Sequence, residues 1–252
     1  MTVGTLDHWG KIFHPVGWFI PPYVTMGAIS SAAQIITGRG NNFSQDDLER
    51  ILEVFYEDHF LSRMVASYYP IAPAIKEYQA TIAESVEAHF LGLNHIAALG
   101  LMPVVEGAGR QLAAQRGLRQ KKIKSALTAL ANDCKQDSIK NNIGAVGEVV
   151  SMMESFASFI DNYLYIGVAN YPLADKTNRH GITHGNYTDA DYGTPLNFYK
   201  MITAINFLTF ISSFRARMSW LGPSDTEASA KLVSYYQALK RLRALRPVHT
   251  TN

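Results

Sequence analysis

Asn178-Arg179-His180-Gly181-Ile182-Thr183-His184-Gly185-Asn186 places one guanidinium and two imidazoles between Arg179 and His184, in a tract otherwise built for bends. Pro172 and a polar loop precede it, and Tyr187, Asp189, Asp191, Gly193 and Pro195 follow. From Pro195 a long apolar helix pattern begins, with Phe198, Ile202, Ile205, Phe207, Leu208, Phe210 and Ile211, and runs out to Arg215. An Arg and a His at this spacing ahead of a helix suit a phosphate-bearing substrate. Arginine offers a fixed fork of donors to phosphate oxygens, and histidine moves a proton near neutral pH.

Working outward, the same helical periodicity recurs through most of the chain. Residues 1–42 are rich in aromatics and breakers, with one short helix expected over Met26 to Thr37 and stopped by Gly38-Arg39-Gly40. Ser44, with Asp47 three residues on, marks a helix start. Apolar positions from Leu48 to Met64 then extend that helix to Tyr68-Tyr69-Pro70. A second, longer helix is expected from Pro73 through Leu93, bending near Gly100 or Pro103, with His89 and His95 as ordinary helix residues. Glu106 and Arg110, one turn apart, read as an intrahelical ion pair. Another helix is expected from Lys122 to about Lys135, followed by a polar break at Asp137–Asn142. A strongly apolar helix spans Val146 to Tyr165, and a connection from Ala169 to Thr194 carries the motif. Connections that long are commonly functional. Gly222-Pro223-Ser224-Asp225 opens a last helix that ends basic near Leu245. No strand alternation, internal repeat or Gly-rich phosphate loop interrupts this reading, so the fold class is all-α.

With 252 residues, 47% of them hydrophobic and 17% charged, the chain can bury a sizeable core rather than remain disordered. Its formal net charge of +2 is too small to argue for a partner, but the charge is unevenly spread. Arg110, Arg116, Arg119, Lys121, Lys122 and Lys124 occur with no acid from 107 to 132. That stretch is either a solvated connection between helices or a contact to a phosphate backbone through Arg116, Arg119, Lys121 and Lys122. The lone Cys134 excludes an internal disulfide and fits a reducing compartment. Met1 to Gly10 lacks the basic start of a secretory signal, and Ile12 to Ile36 is cut by Pro15, Pro21, Pro22 and Gly27. A cytoplasmic protein with no membrane partner is therefore expected.

The motif resembles the R-x4-6-H signature of the HEPN superfamily, all-α proteins many of which are metal-independent RNases. Arg179 is followed by a polar residue, His180, and His184 by Gly185, as is common in that family. The resemblance covers residues 44 to 216 and is specific over 178 to 210. It implies a helical bundle with the Arg/His motif at the junction between loop and post-motif helix. The chain then divides into an N-terminal flap (1–42), the HEPN-like domain (43–216) and a C-terminal basic helix (217–252). It implies cleavage of RNA through its own 2′-OH, without cofactor or metal. Arg179 would bind the scissile phosphate, His184 would transfer the proton, and His180 would assist or hold the loop. Asn178 and Glu106 would support the site, Glu106 because the family carries a comparable E-G-x-x-R on a core helix. A single histidine cannot serve as base and acid in one step, and the family's usual answer is a homodimer with two Arg/His sets across one cleft. Relatives act as toxins or antiviral effectors, implying an antitoxin or activating partner. Two other readings remain at this level. One is a metal site in which His180 and His184 gain a third ligand from Asp189, Asp191 or elsewhere. The other is a catalytically silent helical interaction module.

Overall fold

The computed structural model describes residues 5–246. Residues 1–4 of the N-terminal segment and 247–252 beyond the last helix lie outside them. Eleven α-helices carry the described residues, and no strand occurs among them. They are α1 (Thr5–Phe13), α2 (Met26–Arg39), α3 (Gln45–Phe55), α4 (Asp58–Arg63), α5 (Gln79–Phe90) and α6 (Asn94–Gln115). Then follow α7 (Ile123–Asn141), α8 (Val146–Phe159), α9 (Arg179–Thr183), α10 (Pro195–Ser213) and α11 (Glu227–Ala244). Short π segments extend α4 and α8, over Met64–Tyr68 and Ile160–Leu164. The all-α class expected from the sequence is the one observed.

The core forms around α10. Every residue of that helix after Pro195 is buried, so it packs on all sides instead of showing one apolar face. Phe207 stacks on Phe156 of α8, with ring centroids 4.2 Å apart, and meets Phe19 edge-on at 5.7 Å. Phe13, Trp18, Phe19 and Ile20 are fully buried, so the described part of the N-terminal segment belongs to the same apolar core. Phe90 of α5 and Tyr236 of α11 close it from another direction, with centroids 4.7 Å apart.

Local signals placed several ends correctly. Ser44 and Asp47 form a reciprocal capping box on α3, and Thr194 with Asn197 forms another ahead of Pro195 on α10. Three breaks differ from the sequence reading. The helix expected from Ser44 to Tyr68 stops at Tyr56, and Asp58 starts α4, where its carboxylate caps the His59 amide and pairs with Lys240 of α11. The long helix expected from Pro73 ends at Phe90 because Gly92 takes φ +75°, a left-handed stop that other residues resist. α6 then continues without interruption through Gly100 and Pro103. The polar stretch Asp137–Asn142 is not a break. α7 runs on to Asn141, its polar side chains being taken up by Arg116 and by an Asn141–Asp137 hydrogen bond of 2.6 Å. No helix among the described residues is long and apolar enough to cross a membrane.

Candidate functional site

The motif is itself helical. α9 is barely one turn, far too short to hold together alone, so its neighbours fix it. Asn178 caps it, its Oδ1 accepting from the Gly181 amide at 2.9 Å. The Asn178 Nδ2 donates to the Tyr163 and Ile166 carbonyls at 3.1 and 2.9 Å, bolting α9 to the end of the α8 segment. The chain then folds back, because the Gly181 carbonyl accepts from the amides of Asn186 and Tyr187. The Tyr187 ring lies so close that a Cβ on Gly181 would sit 2.1 Å from it. The connection expected over Ala169–Thr194 is thus structured in its middle, and Gly185–Thr194 separates the motif from α10.

Arg179 is held by two partners at once. Its Nε donates to Glu106 Oε1 at 2.5 Å and its Nη2 to Oε2 at 3.4 Å, a two-pronged contact onto the middle of α6. Its Nη1 lies 2.6 Å from His184 Nε2. A guanidinium has no lone pair to offer, so in this contact Nε2 is the acceptor. Glu106 therefore pairs across 73 residues of sequence with Arg179, not with Arg110 one turn along. Arg110 instead donates to the Lys121 carbonyl at 3.3 Å.

His180 completes the cluster. Its ring lies nearly parallel to that of His184, centroids 5.8 Å apart, and meets Tyr165 edge-on at 6.1 Å. Burial, with Arg179 and His184 beside it, holds the His180 imidazole below its usual pKa. The buried Tyr165 hydroxyl donates to Glu106 Oε1 at 3.3 Å. Burial and the Glu106 carboxylate push that phenol far above its ordinary range, so it stays protonated and keeps its proton to donate. Arg179, His180, His184, Glu106 and Asn178 are thus brought together. His184 is exposed, whereas the Arg179 and Glu106 side chains are only 21% and 18% exposed.

A second polar group beneath the site was not anticipated. Lys200, fully buried on α10, pairs with Asp175 at 2.8 Å and donates to Gln45 Oε1 at 3.1 Å. Asp175 also accepts from the Tyr171 hydroxyl and from the Thr177 amide and hydroxyl. Asn197 donates to the Asp175 carbonyl at 2.7 Å. This network clamps the chain immediately before Asn178 onto the core helix. Its signal in the sequence was a lone lysine within Leu196–Ile211, an otherwise uncharged run.

Other expected residues lie elsewhere. Arg116 is withdrawn from any RNA contact: its side chain is 3% exposed and pairs with Asp133 at 2.7 Å and Asp137 at 3.3 Å, acids supplied by α7. Arg119, Lys121 and Lys122 are exposed. The Asp191 carboxylate accepts from the Thr188 amide and hydroxyl, and Asp189 lies by His95. Neither supplies the third ligand that the metal reading required, and no metal-holding group of three or more His, Cys, Asp or Glu occurs among the described residues. A cavity of about 680 Å³ between α3, α5 and α11, lined by Glu49, Glu53, His89, Lys240 and Arg243, does not include the motif. Neither a family model, nor a curated protein, nor a solved structure matches the chain.

Proposed function

We propose that the chain is a metal-independent endoribonuclease of HEPN type, with Arg179 and His184 as its reacting pair. The observation that supports this reading is the 2.6 Å contact between the two, made while Glu106 fixes the other edge of the guanidinium. Of the five N–H donors of Arg179, three are engaged, leaving one on each terminal nitrogen for phosphate oxygens. A bound phosphodiester competes for Nη1 and releases the His184 Nε2 lone pair. That nitrogen takes the proton of the ribose 2′-OH as the 2′-oxygen attacks phosphorus. The P–O5′ bond breaks, Arg179 balances the charge on the phosphorane, and the leaving 5′-oxygen takes a proton from the His184 of a second copy in a homodimer, which enters the step as the imidazolium, while the first His184 leaves it protonated. The products are a 2′,3′-cyclic phosphate and a 5′-hydroxyl.

The test is incubation of purified protein with labelled RNA in EDTA. His184→Ala should lose about 10²–10⁴-fold in rate, the usual worth of general acid–base assistance, with its helical circular dichroism intact. Arg179→Ala should fall comparably, and Arg179→Lys should recover little, because a point charge cannot replace the planar fork. Glu106→Gln keeps the shape but weakens the clamp and should retain more activity than Arg179→Ala. An all-deoxy strand lacks the nucleophile and must stay uncut. Intact RNA in every arm returns the chain to the class of silent interaction modules. A role as a toxin or antiviral effector, with an antitoxin or activator as partner, predicts slower growth on induction of wild type than of His184→Ala.

A further inference from the structure

One turn along α6 from Glu106, a second basic feature opens. A cavity of about 480 Å³ has Arg110 and Arg119 at its sides and Ala113, Ala114, Leu118 and Ala126 as its apolar lining. Arg110 holds the cavity's loop in place through its hydrogen bond to the Lys121 carbonyl. Arg110, Arg119, Lys121 and Lys122 have no carboxylate partner among the described residues, and the sequence from 107 to 132 supplies none. Arg116 and Lys124, in the same stretch, are both paired with aspartates. Arg110 and Arg119 line the cavity with no carboxylate between them, so they repel one another, and an anion relieves that repulsion.

Arg110, which lines the cavity, and Lys124 of the same basic stretch lie close enough to the Arg179 cluster to act on its rings. Arg110 and Arg179 both oppose the upward push that burial and Glu106 exert on the Tyr165 phenol. Lys124, which donates to the Asp161 carbonyl at 2.9 Å, adds to the effect of burial, Arg179 and His184 in holding His180 down. Helical rise puts Arg110 about 6 Å and Ala114, still within α6, roughly 12 Å beyond Glu106. A stacked single strand rises about 3.4 Å per nucleotide along its axis and an extended one roughly twice that. The far end of the cavity is thus a few nucleotides from Arg179.

We propose that this cavity is a subsite for a nucleotide flanking the phosphodiester held at Arg179, its base on the alanine and leucine surface and its phosphate between Arg110 and Arg119. Arginine suits both tasks, since it forks onto phosphate oxygens and stacks on base planes. The ligand class is single-stranded RNA, whose splayed bases can enter such a recess, while a paired base cannot. The inference rests on the ribonuclease reading above and adds to it where the rest of the substrate lies.

The experiment compares a single-stranded RNA octamer with a dinucleotide that has one phosphodiester. The proteins are wild type, Arg119→Ala, Arg110→Ala and, as a remote control, Lys231→Ala. Arg119→Ala should raise KM for the octamer about 10-fold at unchanged kcat and leave the dinucleotide unaffected. The salt dependence of its octamer binding should flatten by about 0.7 in slope, because one phosphate is no longer neutralised. Arg110→Ala should act in the same direction; because it also frees the loop, Arg119→Ala carries the decision. Wild type that cuts both substrates, with KM and salt slope unmoved in Arg119→Ala, overturns the subsite and leaves the nuclease reading standing. Wild type that binds the octamer without cutting it, with binding weakened in Arg119→Ala, upholds the subsite and sinks the nuclease reading. Wild type that neither binds nor cuts RNA overturns both.

Discussion

Replacing Lys200 with Met tests how the motif is held to the core. The Lys200 ammonium is completely buried, 2.8 Å from Asp175 Oδ2 and 3.1 Å from Gln45 Oε1. Burial pulls its pKa down, and Asp175 opposes that pull. Methionine matches the stem but removes the charge, so Asp175 is left as a buried anion with only neutral donors, from Tyr171 and Thr177. Breaking a buried pair from one side costs about 3–5 kcal/mol. At roughly 2–4 °C per kcal/mol for a chain of this size, Lys200→Met should melt about 6–20 °C below wild type in a calorimeter. The double variant Lys200→Met/Asp175→Asn removes both charges and should recover most of that stability, because what is costly is the orphaned carboxylate. Amide exchange gives a second reading: Thr177 and Gly181, whose N–H groups bond within this segment, should exchange faster in the single variant than in the double. A single variant that melts with wild type, or a double variant no better than the single, refutes the reasoning.

Three further outcomes follow from buried groups. Burial first, with Arg243 and Lys240 nearby, lowers the His89 pKa to about 3. The unfolded chain therefore takes up a proton near pH 6.5 that the folded chain refuses until about 3, and stability drops as pH falls across that window by up to about 1.4 kcal/mol per unit. His89→Phe keeps a ring against Phe198, 4.1 Å away, and should flatten this slope in urea melts at about pH 7 and 4.5, on either side of the unfolded pKa. Gly181→Ala should cost about 1–3 kcal/mol by overpacking against the Tyr187 ring, and adding Tyr187→Ala should reduce the penalty; equal melting of the two variants would count against the contact. Cys134 is buried, and burial raises its thiol to a pKa of about 12, so a thiol reagent should label the chain in urea and not in buffer.

What could be read from the sequence was local. Caps at Ser44 and before Pro195 use residues three apart, and their geometry follows from the backbone alone. Pairings over distance could not be read that way. Glu106 has a basic residue one turn on, so a helical argument assigns it Arg110, yet the packing of α9 against α6 offers it Arg179 instead. Arg116 stands in a run without acids, and only the return of α7 alongside α6 brings Asp133 and Asp137 to it. Pro103 is a stronger breaker than Gly92 by propensity, but tertiary contacts overrode it, and α6 runs through both Pro103 and Gly100.

The consequence for the site is that Arg179 is fixed from two directions by elements that do not depend on α9. Its backbone hangs on Asn178, bonded to the end of the α8 segment, and its side chain rests on Glu106 of α6. Those helices owe their relative position to the core around α10, which also holds Asp175 and Thr177 ahead of the motif. Holding a charged group this way before any ligand arrives lowers the ordering cost of binding. The outer edge of the guanidinium is engaged by His184 alone, and both residues belong to the same short turn. In the proposed reaction, a phosphate that displaces the histidine from Nη1 frees the His184 Nε2 lone pair in the same step.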